Sequence, residues 1–324
     1  MREALEKLLR DNLLILAVGG SCALALLFPD LGIRLDRADL SPWLVFAVFF
    51  CQGASVDLSR LPPPRQLLPL LAAGFAVSQL LAPGLALAIL ALWTPAPDYA
   101  AGFFLMACMA PTLVSGTVIS SRGGACVPTA LGVTILLNLA AVLTVPLWLR
   151  FGPGGGALDS LNLLGKLLLL VLLPALLGQA WRRRFPEKAD RSKALLSHLP
   201  VALLSLTIYI NLSVQAERMR QLNWHDGLSF AVTGLGLHLL CLLGALRAAH
   251  ALGAGTAASR SLAICCSQKT LPVAVTVWST SLAASHPLAL LPCVVFHFLQ
   301  IWIDGLIAGR WARQAKRSGS GCET

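Results

Sequence analysis

Ten stretches of apolar residues, each long enough to cross a bilayer as a helix, follow one another along the chain. They fall at about 13–29, 41–59, 67–92, 99–121, 124–148, 161–181, 195–215, 228–251, 257–283 and 288–309. The polar connections between them are short and leave no room for a soluble domain. The pattern therefore predicts an all-α polytopic membrane protein, with ten transmembrane helices in a single transmembrane domain.

Two of the predicted spans are interrupted. Span nine contains AICCSQKTLPVAV, residues 263–275, which places Gln268, Lys269 and Pro272 inside an apolar run. Span four contains APTLVSGTVISSRGG, residues 110–124, a small and polar stretch broken by proline and glycine. Lipid offers no partner to a freed backbone group, so such breaks are tolerated only against protein or a wet cavity. Paired interrupted spans indicate the binding site of a secondary transporter.

The positions of the two interruptions also predict a repeat. With five spans in each half, the second half begins on the opposite side of the membrane from the first, so the repeat is inverted. Span four then corresponds to span nine, and these are the two interrupted spans. The sequence therefore predicts a 5+5 inverted repeat with broken helices four and nine.

The composition agrees with a membrane protein and sets its orientation. Of 324 residues, 56% are hydrophobic and 12% are charged, whereas a soluble domain has about 25% charged residues. The net charge of +10 is therefore attributed to cytoplasmic loops rather than to nucleic-acid binding. With the N-terminus inside, cytoplasmic segments hold eighteen Lys and Arg residues and external segments hold five. This asymmetry predicts that both termini are cytoplasmic, in a bacterial inner membrane.

Several functional classes are not supported by the chain. No nucleophile–base arrangement, P-loop or metal-ligand spacing is present, which argues against an enzyme, a cofactor or an ATP-driven pump. The nine cysteines are interpreted as small buried hydrophobes rather than disulfides. The apolar N-terminal stretch is interpreted as the first span rather than a signal peptide, because its leader is mixed in charge.

Polar side chains at the two breaks and in neighbouring spans are candidate ligands of a substrate or ion. A lysine at bilayer depth is penalised by about 2.5–3.5 kcal/mol on insertion scales, so Lys269 is the sharpest of them, although it could also snorkel. Hydroxyl and amide side chains also hold membrane helices together, and that alternative stays open for the others. The candidates are Gln79, Thr112, Ser115, Gly116, Thr117, Asn138, Ser267, Gln268, Lys269 and Thr270.

A second set of ionisable residues lies in span ten. His297 and Asp304 are seven residues apart, on roughly one helix face, and could form a proton relay. Asp304 is close to the cytoplasmic end of the span, so a solvated or capping role is an equal alternative.

The motifs PTLVSGTVISSRGG and CCSQKTLP resemble the bile acid:sodium symporter superfamily, most nearly its solute-carrier-family-10-member-7-like branch, where PT-x-V-S and S-Q-K-[ST]-L recur. The resemblance covers nearly the whole chain. It implies a core domain (about 67–148 and 228–309) in which broken helices four and nine cross, and a panel domain (about 13–59 and 161–215). Substrate would bind between the two domains. It also implies sodium ligands at Gln79, Thr117 and Gln268.

One departure from this superfamily concerns the coupling ion. The better-known symporters of the superfamily carry a glutamate four residues before the glutamine of span nine, as a ligand shared by two sodium ions, and that position here is Ile264. Lys269 instead puts a positive charge beside the crossing. The sequence therefore predicts a symporter-like secondary transporter for an organic anion, such as a bile-acid-like or other carboxylate or sulfonate metabolite. The resemblance to the superfamily implies sodium as the coupling ion, whereas Lys269 favours coupling to a proton or to no ion. The alternative is a non-transporting membrane regulator acting through cytoplasmic partners.

Overall fold

The computed structural model describes residues 13–153, 159–221 and 224–318, and these residues form helices without a strand. The helices are α1 (Leu13–Leu27), α2 (Pro29–Arg37), α3 (Ser41–Ser55), α4 (Pro64–Leu92), α5 (Pro97–Cys108), α6 (Val114–Arg122), α7 (Val127–Phe151), α8 (Ser160–Arg184), α9 (Pro186–Arg191), α10 (Lys193–Ser213), α11 (Ala216–Arg220), α12 (Trp224–Ala251), α13 (Thr256–Ser267), α14 (Leu271–Val277) and α15 (Leu290–Ser318). Wide π turns interrupt α4 at Ala76–Leu81 and α8 at Leu168–Leu172, and a third, Trp278–Leu282, follows α14.

Six helices in the described part of the chain are long and apolar enough to cross a bilayer: α4, α7, α8, α10, α12 and α15. A seventh span results if α1 and α2, bent by 96° at Phe28, count as one, and α3 is a shorter apolar helix. The chain is thus an integral, multi-pass membrane protein. The count of ten spans and the inverted repeat stay predictions, and both termini lie outside the described residues.

The two predicted interruptions are present as breaks between helices. Residues 109–113 separate α5 from α6, and residues 268–270 separate α13 from α14. Each break therefore lies between two short helices, and in predicted span nine the π turn Trp278–Leu282 follows them. Several peptide groups at each break are left without helical partners, and other parts of the protein must satisfy them.

The described residues divide into two compact units. The first contains residues 13–56, 165–221 and 275–280, and the second contains residues 57–153, 159–164, 224–274 and 281–318. Both breaks and the π turn of α4 belong to the second unit. The functional assignment of a panel and a core domain stays a prediction.

Small residues allow close helix packing in the first unit. A Cβ atom added to Gly53 of α3 would lie 2.1 Å from the carbonyl oxygen of Ala175 in α8. A Cβ on Gly178 of α8 would lie 2.2 Å from the carbonyl oxygen of Phe50. Gln179 Nε2 then donates to Gly53 O at 2.5 Å, at the end of α3. This is the small-residue packing that membrane helices use where apolar burial gives little driving force.

Candidate functional site

The first break contains a proline and is held by an asparagine from a neighbouring helix. Pro111 has no backbone N–H and cannot continue the hydrogen-bond ladder of α5. Its carbonyl accepts from Asn138 Nδ2 of α7 at 2.9 Å, and the same Nδ2 donates to Thr134 O at 2.8 Å. Asn138 therefore makes a contact between helices, one of the readings that the sequence left open, and directs it at the break itself.

The second break is held by a glutamine of α15 and by the first break. Gln300 Oε1 accepts from the N–H of Lys269 at 2.8 Å, and Gln300 Nε2 donates to the carbonyl of Lys269 at 2.7 Å. The next N–H, that of Thr270, donates to Ala110 O at 2.8 Å. The two breaks thus meet directly, and one supplies backbone acceptors to the donors of the other.

The ammonium group of Lys269 is enclosed at this meeting point. The residue is 0% exposed, so it does not snorkel. Its Nζ lies 2.7 Å from Ser78 O, 3.1 Å from Ser78 Oγ and 3.0 Å from Met109 O. Ser78 belongs to the π turn of α4, and such turns leave carbonyl groups available to side chains. An ammonium group has three donors, and here all three have neutral oxygen acceptors.

The energetics explain how this charge can stay buried. Burying an ion costs several kcal/mol, while each hydrogen bond to a charged group contributes about 1.5–3 kcal/mol. Three such bonds are therefore of the size of the burial cost. Among the described residues, no carboxylate lies within salt-bridge distance of Lys269. In its protonated form, Lys269 is therefore solvated by oxygen dipoles and not by a carboxylate.

Gln268 connects the first break to α15. Its Oε1 accepts a hydrogen bond from Thr112 Oγ1, which in turn accepts from Ser115 Oγ at 2.8 Å. Its Nε2 donates to Asp304 Oδ2 at 2.7 Å. Gly116 allows this approach, because a Cβ there would lie 3.2 Å from Gln268 Oε1. The amide oxygen of Gln268 therefore points at the hydroxyl cluster of α6 and its amide nitrogen at the carboxylate.

Asp304 and His238 form a buried pair that holds one proton between them. His238 Nδ1 lies 3.1 Å from Ser267 O, which can only accept, so Nδ1 carries a proton. His238 Nε2 lies 2.9 Å from Asp304 Oδ1. The hydrogen bond between these atoms needs a proton, either on the imidazole or on the carboxyl group. Both arrangements leave the pair with no net charge, so it does not balance the charge of Lys269.

The structure does not bring His297 and Asp304 together, and a proton relay between them stays a prediction. The imidazole that reaches Asp304 belongs to His238, whereas His297 Nδ1 lies 2.7 Å from Gln300 Nε2 and 3.2 Å from Lys269 O. Because Gln300 Nε2 is a donor, Nδ1 of His297 is its acceptor. The solvated or capping alternative for Asp304 is wrong, since the residue is 0% exposed.

The other predicted sodium ligands occupy different places in the second unit. Gln79 is fully buried, accepts from Thr144 Oγ1 at 2.7 Å through Oε1, and accepts from Trp148 Nε1 at 2.7 Å through its backbone carbonyl. The hydroxyl of Thr117 donates to Leu113 O at 2.9 Å. Gln79 thus joins α4 to α7, while its neighbour Ser78 contacts the lysine.

Gln300 is one of the residues of this site, with His238 and Ser78, that are absent from the candidates predicted from the sequence. It lies between His297 and Asp304 on α15, at spacings of three and four residues, so the three share one helix face. An amide between two ionisable residues on the same face of an apolar helix was a usable signal. The role of Gln300 becomes evident only from the tertiary structure, in which the break of span nine packs against that face of α15.

Comparisons with known proteins agree with a transporter. The sequence profile of the SBF-like CPA transporter family matches residues 12–313. The chain is 28% identical over 331 residues to "Probable sodium/metabolite cotransporter BASS4, chloroplastic" of Arabidopsis thaliana, covering 97% of this chain and 76% of that protein. It is 30% identical over 330 residues to the protein of the same name from Oryza sativa subsp. indica, covering 96% and 78%.

Proposed function

The chain belongs to the SBF-like CPA transporter family, of the bile acid:sodium symporter type, and on that premise we propose that it is a secondary transporter of an organic anion. The charge of Lys269 carries the proposal. Its Nζ lies where the two breaks meet, bound only by neutral oxygens, beside a histidine–aspartate pair with no net charge. A site with a net positive charge favours a carboxylate or sulfonate substrate. The N-terminus of α6, with its partial positive charge, adds to that preference.

The ammonium group of Lys269 takes the place that a coupling ion has in a sodium symporter. Unwound backbone carbonyls coordinate sodium in transporters with broken helices, and Lys269 Nζ has two carbonyl oxygens and one hydroxyl oxygen around it. A tethered cation supplies the same charge but cannot leave with the substrate. Transport would therefore be independent of sodium, either as uniport or with exchange of a proton. The relatives named above are called sodium/metabolite cotransporters, so this chain would differ from them.

Uptake into proteoliposomes tests the substrate class. The purified protein is reconstituted and given a panel of labelled carboxylates and sulfonates, with sodium or with choline outside. We expect saturable uptake of at least one anion at equal rates in both media. A folded protein that takes up none of them would favour the alternative of a membrane regulator. Uptake that rises steeply with external sodium would contradict the tethered-cation proposal.

A sodium-rescue experiment tests the role of the ammonium group directly. Lys269→Ala removes it and leaves Ser78 O, Ser78 Oγ and Met109 O around an open space. We expect this variant to regain uptake, and to gain thermal stability, in sodium but not in choline. Lys269→Met is the matched control, because its apolar stem fills the same space and leaves no room for an ion. Equal responses of the two variants to sodium would contradict the proposal.

We propose that the chain lies in a bacterial inner membrane with both termini on the cytoplasmic side. Cysteines introduced at Asp98 and Ser285 should react with an impermeant reagent from outside, and those at Arg65 and Lys188 from inside. The first two positions lie at one end of the second unit, where Asp98 Oδ2 accepts from Leu288 N–H at 3.0 Å. Labelling of Asp98 and Lys188 positions from the same side would contradict this orientation.

A further inference from the structure

A pocket of about 890 Å³ opens in the second unit, away from the two breaks. The start of α4, the turn between α6 and α7, and the loop between α12 and α13 surround it. Among the residues that the structure describes, its lining includes Arg65 and Arg260 and no acidic residue, together with apolar side chains such as Leu67, Leu70 and Leu252. The sequence places all three of these segments at the cytoplasmic face. The pocket therefore combines a positive charge with an apolar wall at the level of the inner membrane surface.

Arg260 is a buried cation without a carboxylate partner in the described part of the chain. It is 8% exposed. Its Nη1 donates to Gly123 O at 3.1 Å and lies 3.5 Å from Trp311 O, and its guanidinium carbon lies 5.5 Å from the centre of the Trp311 ring. A guanidinium group has five N–H donors, and those of Nε and Nη2 have no acceptor among the described residues. Arg260 lines the pocket, so these N–H groups are available to an anionic ligand there, which a guanidinium group can bind with two parallel hydrogen bonds.

Two helices begin at the same pocket, and neither has a side-chain cap. The residue before α13 is Gly255, which has no side chain, and the residue before α7 is Cys126. Cys126 N–H donates to Ala257 O at 3.1 Å, which holds the two helix starts together. The first N–H groups of a helix lack intrahelical acceptors and carry a partial positive charge. The pocket is therefore surrounded by two arginine side chains and by the backbone N–H groups at the start of two helices.

We propose that this pocket binds the phosphate group of an organic ligand. Arginines and helix N-termini are the groups that proteins use for phosphate, and the cavity falls within the range of about 300–1,000 Å³ of small-molecule sites. The cavity is large enough to hold an organic group attached to the phosphate, and its leucine side chains can pack against that group. Two sources share this chemistry, a phospholipid headgroup of the cytoplasmic leaflet and a soluble phosphate monoester. The site stands independently of the proposed transport activity.

The position of α13 gives the site a direct structural link to the breaks. This helix begins at the pocket and ends at Ser267, next to Gln268. Twelve residues of α-helix span roughly 18 Å. A phosphate bound at the start of α13 would therefore contact the same rigid element that carries the second break at its other end.

Substitution of Gly255 tests the site with a matched pair. Its φ of −62° and extended ψ suit a capping residue, and an added Cβ there meets nothing within 4 Å. Gly255→Asp supplies a cap that satisfies the helix N–H groups and repels an anion, whereas Gly255→Asn supplies a cap without charge. Arg65→Gln removes the exposed cation and leaves Arg260 in place.

Binding is measured on the full chain in detergent micelles, by thermal unfolding and by native mass spectrometry. The probes are phosphatidic acid, glycerol 3-phosphate and, as the zwitterionic control, phosphatidylcholine. We expect phosphatidic acid or glycerol 3-phosphate to stabilise the wild type, with a Kd raised about tenfold or more by Gly255→Asp and by Arg65→Gln. Gly255→Asn should bind more tightly than Gly255→Asp.

Each outcome decides the proposal or the source of the ligand. Binding of phosphatidic acid alone identifies a lipid headgroup, and binding of glycerol 3-phosphate identifies a soluble ligand. If neither probe binds, or if Gly255→Asp and Arg65→Gln bind as tightly as the wild type, the pocket is not a phosphate site. Because Gly255→Asp adds a helix cap, its loss of binding cannot be attributed to unfolding when its melting temperature is kept or raised.

Discussion

The two helix breaks solve the same backbone problem with different chemistry. The side chains of residues 109–113 are themselves neutral, and the break supplies carbonyl acceptors at Met109, Ala110 and Pro111. At residues 268–270 the break carries a lysine and a glutamine and is held by α15. The difference shows that two breaks that meet in one unit are stabilised by different groups. The first break supplies backbone carbonyl acceptors, and the second supplies the lysine whose side chain donates to one of them.

Of the changes that distinguish the two breaks, removal of the lysine charge from the second break is expected to have the largest effect on uptake. Lys269→Met retains the apolar stem but leaves Ser78 O and Met109 O without their buried donor. We expect anion uptake to fall to the level of empty liposomes. The lost hydrogen bonds are offset in part by removal of a buried charge, so the variant should fold. Uptake in proteoliposomes, with thermal unfolding as the folding control, checks this prediction. Uptake near the wild-type rate would remove Lys269 from the mechanism.

Removal of the carboxylate that supports the second break is expected to have the next largest effect. Asp304→Ala leaves His238 Nε2 and Gln268 Nε2 without an acceptor in a buried site, which should lower the free energy of unfolding by about 3–5 kcal/mol. Asp304→Asn keeps the shape and one acceptor, so its cost should be about 1–3 kcal/mol. Denaturation in detergent measures both. If the two variants are equally stable, the network around Asp304 does not hold the break.

Crowding the contact between the breaks should have a smaller effect and should act mainly on uptake. Gly116→Ala places a Cβ 3.2 Å from Gln268 Oε1 and 3.4 Å from Thr112 Oγ1, so the amide must move by a few tenths of an ångström. We expect a stability cost of about 1 kcal/mol and an uptake rate reduced several-fold. Gly84→Ala is the control on α4, because an added Cβ there meets nothing within 4 Å. Equal uptake by the two variants would show that the contact is not critical.

The smallest expected effect belongs to the neutral break. Ser115→Ala removes one half-buried hydrogen bond, to Thr112 Oγ1 at 2.8 Å, and should cost about 0.5–1.5 kcal/mol of stability. Uptake should stay close to that of the wild type. Thr112→Val should cost more, because it also deprives Gln268 Oε1 of its donor. Thermal unfolding of both variants ranks them, and the reverse order would mean that Gln268 has another donor.

The amino-acid sequence by itself determined the class of protein and the places where its helices break. Hydropathy is a local property of about twenty residues, so a membrane protein could be predicted without knowledge of its packing. Pro111 and the polar run at 267–270 likewise act on their own backbone, and the breaks lie at those residues. The resemblance to the symporter superfamily followed from the same two motifs, and the family match agrees with it.

Only the tertiary structure decided which polar side chains meet. His297 and Asp304 share a helix face, but seven residues of helix separate them by about 10 Å along the axis, too far for a hydrogen bond. The partner of Asp304 is instead His238, 66 residues away in the sequence. Ser78 and Met109 likewise reach Lys269 from 191 and 160 residues away. Such pairings depend on how helices pack, and hydropathy and helix periodicity carry no information about contacts across that distance.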